Sequence, residues 1–167
     1  MSYDFNTPAG QTIARELLIA CLNTGTKAVP VWSIVGTRVE DSSTEYDWNP
    51  SSKRDIVGKV HGSMRKPILT QSFDPCELDS GESALTHVWQ LAVVDQDAQA
   101  LANQDMLIIH SYAGFAERYE SCMVVPKKLG GEGGGDIGMP IDVTYGGTRT
   151  VGTATNSNGT ITFTPES

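Results

Sequence analysis

The segment ESALTHVWQLAVV, residues 82–94, decides the fold class because it carries the clearest helical pattern in the chain. Five apolar residues recur at the spacing of one helix face: Leu85, Val88, Trp89, Ala92 and Val93. Ser80 or Ser83 is suited to cap the helix N-terminus, and Glu82 places an acidic group in the first turn. Helix-forming residues continue beyond the apolar pattern, so the sequence predicts one α-helix over about residues 82–103.

Strand-like segments precede this helix. Residues 29–36 (VPVWSIVG) are rich in β-branched residues, and residues 66–73 (KPILTQSF) alternate between two faces, as strands do. Residues 15–23 (RELLIACLN) are apolar, but the run is too short for its periodicity to distinguish helix from strand. Residues 55–62 (DIVGKVHG) return from a polar excursion, and we expect them to form a hairpin with 66–73 that turns over residues 62–66.

Strand-like segments also follow the helix. They are residues 105–114 (DMLIIHSYAG), 117–129 (ERYESCMVVPKKL), 139–147 (MPIDVTYGG) and 149–165 (RTVGTATNSNGTITFTP). In the last of these, Asn158-Gly159 lies between two alternating runs and predicts a tight hairpin. Many strands with a single helix predict a mainly β (α+β) fold, a β-sandwich or barrel with one flanking helix. No internal repeat divides the chain, so we expect one domain over residues 1–167.

A glycine cluster lies between two of these strands, in KKLGGEGGGDIGMP, residues 127–140. A phosphate-binding loop needs GxxxxGK[ST] or GxGxxG followed by a helix, whereas a strand-like segment follows here. We therefore predict a flexible connecting loop over residues 130–138, kept solvated by its acidic residues. The glycines assigned to this flexible loop are Gly130, Gly131, Gly133, Gly134 and Gly135.

No motif for catalysis or ligand binding is present in the sequence. The three histidines are scattered, and no HExxH, CxxC or other zinc-ligand spacing occurs. Residues 81–85 (GESAL) are similar to a nucleophile elbow but lack its closing glycine. The three cysteines are widely spaced, which favours buried thiols. We therefore predict no enzymatic activity, no catalytic, cofactor-binding or metal-binding residue, and no cofactor.

The charge balance restricts the class of partner. The net charge is −8 at pH 7, whereas proteins that hold nucleic acid by its phosphates need a basic stripe. The charge therefore argues against a protein that binds nucleic acid by contacting its phosphates. The first residues lack a secretory signal pattern, and no apolar run approaches the roughly 20 residues of a membrane helix, so we expect no membrane partner.

A polar segment before the helix, about residues 38–66, differs from the acidic remainder of the chain. It contains two aromatic residues, Tyr46 and Trp48, and several basic ones: Lys53, Arg54, Arg65 and Lys66. Basic charge concentrated on an acidic protein favours contact with an acidic patch, for example on a second copy. A solvated hairpin around a packed tryptophan explains the same pattern equally well.

The order and combination of several segments resemble one protein family over nearly the whole chain. These segments are VPVWSIVGTRVEDSSTEYDW followed by KRDIVG, then KPILTQSFDPCELDSGESA, DMLIIHSYAG, GGEGGGDIGMPIDVTYGGTRTVGTAT and NGTITFTPE. Together they resemble the major tail proteins, or tail tube proteins, of long-tailed bacteriophages with flexible, non-contractile tails.

This resemblance implies a structural virion protein with the phage tail tube-like fold. Subunits of that family form hexameric rings that stack into a hollow tube, and DNA passes through the lumen without specific binding. Acidic charge on this chain suits such a lumen because like charges repel. The implied partners are further copies of the chain, the tail tape measure protein, and tail initiator and terminator proteins. The implied location is the virion tail, assembled in the cytoplasm of the bacterial host.

The resemblance also assigns roles to segments. Residues from about 38 to 66 correspond to the long loop that reaches the adjacent ring, which makes its aromatic and basic residues candidates for the ring-stacking interface. Residues 15–23 become a strand rather than a helix, and the glycine loop is expected to order on assembly. Two alternatives stay open: a subunit of a related secretion tube of the type VI kind, and a monomeric β-sandwich module that binds a host surface or glycan.

Overall fold

Twelve β-strands and two short α-helices form the regular structure of residues 2–167, the part of the chain that the computed structural model describes. The strands before the helices are β1 (Leu18–Asn23), β2 (Trp32–Val35), β3 (Val39–Asp41), β4 (Thr44–Asp47), β5 (Ser51–Arg54), β6 (Val60–Ser63) and β7 (Ile68–Pro75). The helices are α1 (Ser83–Trp89) and α2 (Ala98–Leu101). The strands after them are β8 (Gln104–His110), β9 (Phe115–Pro126), β10 (Ile141–Tyr145), β11 (Arg149–Ser157) and β12 (Thr160–Pro165).

Most strands join one curled antiparallel sheet in the order β2-β1-β8-β9-β10-β7-β3. The long strand β9 pairs with β8 along one edge, and along its other edge the first residues pair with β11 and the last residues with β10. β11 pairs in turn with β12, and β4 lies against β7. The result is a mainly β half-barrel with a helical segment packed on it, which confirms the predicted fold class.

The core lies on both faces of β8, whose seven residues are all buried. One cluster joins β1, β7, β8, β10 and α1 and includes Leu22, Phe73 and Val88. A second cluster contains Leu107 of β8 and is closed by Ile161 of β12. Successive strand residues point to opposite faces, so a strand covered on both sides needs apolar residues at nearly every position. The run DMLII satisfies that need.

The helical segment is interrupted inside the bounds predicted for it, about residues 82–103. After α1 the chain makes a π-helical turn over Gln90–Val94, and Gln96 then adopts a left-handed φ of 48°. The carboxylate of Asp97 accepts a hydrogen bond from the backbone N of Ala100 at 3.1 Å and begins α2 as a new helix. An aspartate cap in mid-segment competes with helix continuation, which composition alone does not reveal.

The predicted serine cap of α1 is wrong. Glu82 occupies the N-cap position, so Ser83 is the first helical residue. In the preceding turn Asp79 accepts a hydrogen bond from the backbone N of Gly81 at 2.9 Å. An aspartate side chain therefore fixes the approach to the helix where a serine was expected.

The hairpin predicted from residues 55–62 and 66–73 does not form. β6 pairs with β5 instead, with Lys53 opposite His61, and β7 pairs with β4 and β10. The turn lies between Arg54 and Val60, where the backbone N of Asp55 donates to the carbonyl of Lys59 at 2.8 Å. The polar residues Ser51–Arg54 form a strand that is exposed throughout.

Two other expectations are confirmed. Residues 15–23 form a 3₁₀ turn, Arg15–Leu17, and then the strand β1. The turn of the C-terminal hairpin has positive φ at both Asn158 and Gly159, 52° and 86°, as tight hairpin turns require.

Candidate assembly surfaces

The segment 51–63, which we call the projecting hairpin, stands apart from the half-barrel. Its strands β5 and β6 form a separate two-stranded sheet, and all eight strand residues are exposed. An isolated two-stranded hairpin is marginally stable in water. The projecting hairpin therefore offers a surface that gains stability when it packs against a partner.

The turn of the projecting hairpin is ordered by Asp55. Its Oδ1 accepts hydrogen bonds from the backbone N of Val57 at 3.0 Å and of Lys59 at 2.9 Å. Its Oδ2 lies 2.8 Å from His61 Nε2, and this hydrogen bond, together with those from the backbone, lowers the pKa of the carboxyl. The turn thereby presents Ile56 and Val57, both highly exposed, at the tip.

Tyr46 and Trp48 lie together at the base of the projecting hairpin. Their rings are stacked, with centroids 6.2 Å apart and planes inclined by 15°. Each side chain is about half exposed, at 48% and 43%. Tyr46 lies opposite the buried Leu69 in the pairing of β4 with β7, and burial raises its pKa. The pair joins the half-barrel to the hairpin and leaves aromatic surface open.

The four basic candidates divide into two groups. Arg65 belongs to the base, because its guanidinium contacts the Asp47 carboxylate at 3.0 Å and its backbone N donates to the Trp48 carbonyl at 3.1 Å. Lys66 follows it and is exposed. Lys53 and Arg54 lie on β5, about one strand length from the base.

Sequence reasoning missed three residues of this surface. They are Ile56, Val57 and Lys59, all in the turn. The available signal was the stretch Asp-Ile-Val-Gly-Lys, in which an aspartate precedes a glycine by three residues, as in many tight turns. We interpreted it as part of the first strand of a hairpin with residues 66–73, and so we did not predict a turn there.

The glycine loop connects β9 to β10 and is tied at both ends. The backbone N of Lys127 donates to the carbonyl of Pro140 at 2.9 Å, and Gly130 and Gly138 exchange two backbone hydrogen bonds of 3.1 and 2.8 Å. The tip holds Gly131, Gly133, Gly134 and Gly135. Flexibility of that tip stays a prediction.

The base of the same loop is also fixed to the body. The backbone N of Met139 donates to the carbonyl of Cys76 at 3.1 Å, and the Met139 side chain is buried. Gly134 has a φ of 84°, a left-handed conformation that favours glycine, and the turn closes where the backbone N of Gly135 donates to the carbonyl of Glu132 at 3.0 Å.

Beneath these surfaces, the buried polar groups are satisfied. Glu117 Oε2 accepts from His110 Nε2 at 2.7 Å, and its Oε1 accepts from Tyr119 and Arg149 at 2.6 and 3.0 Å. Burial opposes the charged form of this carboxyl, but the three hydrogen bonds outweigh that effect and lower its pKa to about 2. The group is a fixed anion that links three side chains.

A second buried pair lies near the other end of β8. The Asp105 carboxylate accepts two hydrogen bonds from the guanidinium of Arg118, at 3.0 and 2.6 Å, and a third from Asn23 Nδ2 at 3.1 Å. The same guanidinium lies 5.5 Å from the ring centroid of Trp32. This arrangement fixes β8 against β1 and β9.

All three cysteines lie in the core. Cys21, Cys76 and Cys122 are buried free thiols, and burial raises their pKa values to about 12, 11 and 11. Within residues 2–167, no three His, Cys, Asp or Glu side chains converge as a metal site would need, and no buried side-chain N or O atom lacks a hydrogen-bond partner.

The helices of the described chain are too short to cross a bilayer: none formed by residues 2–167 has the length and apolar character that a span requires.

The sequence matches no known protein-family model and no curated protein. The fold does match solved structures. A chain of the extended sheath-tube complex of an extracellular contractile injection system, PVC, is 8% identical, with a TM-score of 0.51, over 87% of this chain and 94% of that one. A chain of the extended sheath/tube terminator of the same system is 11% identical, with a TM-score of 0.52, over 86% and 99%.

A third solved structure, the tube-terminating cap of the anti-feeding prophage, is 15% identical, with a TM-score of 0.50, over 89% of this chain and 96% of that one. At such low identity the likeness establishes the fold alone. The chain therefore has a tail tube-like fold, as the resemblance implied. Its assignment to non-contractile phage tails in particular stays a prediction.

Proposed function

We propose that the chain is a structural subunit of a phage-type tail tube. Six copies form a ring, rings stack into a hollow tube, and DNA passes through the lumen without specific binding. The observation that supports this proposal most is the fold shared with tube-associated chains over almost their whole length. The match covers 94–99% of the length of those chains.

The surfaces described above fit this proposal. A tube made from one kind of subunit needs contacts around each ring and contacts between stacked rings. A contact between stacked rings joins one patch on one copy to a different patch on another copy. The projecting hairpin, with Tyr46 and Trp48 at its base and Lys53 and Arg54 along β5, is a separate exposed element of the kind that reaches another subunit. Its side chains form the ring-stacking contact in our proposal.

The negative charge of the chain favours a role in which DNA passes through the lumen and disfavours one in which the protein binds DNA. At −8 per copy, a ring presents strong net negative charge, and the five basic residues between 53 and 66 lie on or beside the hairpin. Like charge on a lumen wall lets a polyanion slide past without adsorbing. In this proposal the tape measure, initiator and terminator proteins of the tail are its other partners, and the virion tail is its location.

A ring that ends a tube is the second candidate. Two of the three solved structures are a sheath/tube terminator and a tube-terminating cap, and this observation favours it. Such a protein would form single rings and would not extend them, and its particle would be of the contractile type. Absence of a sheath gene beside the gene for this chain would favour the non-contractile tail.

Negative-stain electron microscopy at rising concentration of the purified chain, with mass by light scattering, tests both candidates. Hollow tubes of stacked six-fold rings are the expected result. Discrete rings that never stack would move the assignment to the terminal ring. A monomer at every concentration, in particular one that binds a glycan or host surface, would overturn both and leave the monomeric binding module.

A further inference from the structure

An apolar cleft lies between α2 with its preceding turn and the second half of β9. It has a cavity volume of about 370 Å³ and is lined mainly by apolar side chains: Ala92, Ala98, Leu101, Met123, Val125 and Pro126. Met123, which lines the cleft, and Val94, two residues before the lining residue Gln96, are about half exposed. The cleft exists because the helical segment breaks at residues 95–97, so α2 does not continue along the line of α1.

The tip of the projecting hairpin is apolar and its turn is ordered by hydrogen bonds. Ile56 and Val57 are adjacent, highly exposed aliphatic side chains on a turn that Asp55 holds rigid through hydrogen bonds to its own backbone. Exposed aliphatic groups at the end of an extended element lose free energy when they leave water, and a fixed turn pays little entropy on docking. The tip is therefore preorganised to insert into an apolar cleft.

The charges around the two surfaces are opposite in sign. Lys53, Arg54 and Lys59 surround the tip and are exposed. Asp95 and Asp97 are exposed on either side of Gln96, which lines the cleft. Lys127, next to the cleft residue Pro126, is offset by Asp142, whose carboxylate lies 3.5 Å from its Nζ. Opposite charges at the rim orient a partner during encounter and add to apolar insertion at the centre.

We propose that the tip residues Ile56 and Val57 of one copy insert into the α2–β9 cleft of a second copy. This inference rests on the proposed tube function and identifies the two surfaces that meet. The exposure of both tip residues means that the chain's own cleft is not their site. A contact between two different patches of identical chains does not close on itself in pairs, so it propagates into a ring or a stack.

Cross-linking between two cysteine variants tests this contact. One variant carries Val57→Cys and the other carries Ala98→Cys, and they are mixed, assembled and treated with a short bismaleimide. The three native cysteines are fully buried and serve as an unreactive background. The control mixture replaces Ala98→Cys with Thr155→Cys, an exposed position on β11. We expect a cross-linked dimer in the first mixture at about ten times its yield in the second.

A second measurement uses substitutions at the tip. The double variant Ile56→Ser/Val57→Ser should raise the protein concentration needed for assembly at least about tenfold, because burial of even one such side chain is worth more than that factor. Val29→Ser, which replaces an exposed valine in the loop between β1 and β2, is the matched control and should leave this concentration unchanged. Thermal unfolding of the monomers should be the same for all three proteins.

The outcomes separate this inference from the proposed function. If the wild-type chain forms tubes or rings, but the two mixtures of cysteine variants cross-link equally or the double variant assembles as readily as wild type, the tip–cleft contact is overturned and the tube function stands. A wild-type chain that never self-associates overturns both. If a different protein covers the cleft and no cross-link forms between copies, the contact is also overturned and the cleft is assigned to that partner.

Discussion

β8 and the projecting hairpin are opposites within one chain. All seven residues of β8 are buried, and β1 and β9 pair with its two edges. All eight strand residues of the hairpin are exposed, and β5 and β6 pair with each other. The contrast shows that the free energy of folding is concentrated in the half-barrel, so the hairpin is free to vary for contact with partners.

The two buried charge networks strengthen this contrast, because they lie at opposite ends of β8. Asp105 is joined to Arg118 of β9 near the first end, and His110 is joined to Glu117 of β9 at the other. Because a shift of β8 by one residue would separate both pairs, the networks specify its register as well as adding stability. Among residues 2–167, no buried charge network of this kind joins the hairpin to the half-barrel.

The largest expected effect is in the centre of β8. Leu107 is fully buried, and Leu107→Ala should lower the free energy of unfolding by about 3–5 kcal/mol, from lost burial plus the cavity left behind. Val57→Ala at the hairpin tip is the control and should change it by less than about 0.5 kcal/mol. Urea unfolding followed by fluorescence measures both. Similar losses for the two variants would contradict the separation of folding from assembly.

The next effect is a pH dependence from Glu117. Its pKa in the folded protein is about 2, below the ordinary value of 4.5, so its contribution is fully present above about pH 5 and is lost as the pH falls through 2. Glu117→Gln removes this titration. The stability difference between wild type and variant should therefore shrink by about 2–3 kcal/mol between pH 6 and pH 2.

Urea unfolding at a series of pH values measures this difference. Glu45→Gln, at an exposed position on β4, is the matched control, and its difference from wild type should stay near zero throughout. A constant gap between wild type and Glu117→Gln over this pH range would mean that the buried carboxyl does not titrate as its hydrogen bonds require.

The half-barrel could be predicted from the sequence because local signals and burial agree there. The run DMLII, the alternation of 141–145 and the Asn158-Gly159 turn each specify one outcome. The projecting hairpin could not, since residues 51–54 have no apolar face and no propensity that marks a strand. Their pairing depends on the turn that Asp55 orders through its hydrogen bonds, and these bonds are visible only in the folded structure.

The buried networks were equally inaccessible to sequence reasoning. Glu117 and Arg149 are 32 positions apart, and their contact arises only when β9 and β11 pair. His110 was interpreted as one of three ordinary scattered histidines, and in the structure it joins a buried cluster with Glu117. Composition gives the charges, but the fold alone decides which of them meet.

At the base of the hairpin we expect a small effect on folding and a large one on assembly. Trp48→Ala removes a stacked ring that is about half exposed, so the free energy of unfolding should fall by about 0.5–1.5 kcal/mol. Tube formation, seen by electron microscopy, should be lost or need far more protein. If Trp48→Ala strongly destabilises the monomer but the folded variant still forms tubes, Trp48 contributes to the fold rather than to the ring-stacking contact.

The smallest effect on folding is expected for exposed charges on the projecting hairpin. Lys53→Glu/Arg54→Glu reverses two exposed charges on β5, so the free energy of unfolding should change by less than about 0.5 kcal/mol. Assembly should weaken, and added salt should restore it in part, because screening reduces the new repulsion from acidic surfaces. Lys128→Glu, an exposed charge outside the hairpin, is the control. Light scattering against salt concentration measures both, and equal behaviour of the two variants would mean that overall charge controls assembly and the hairpin does not.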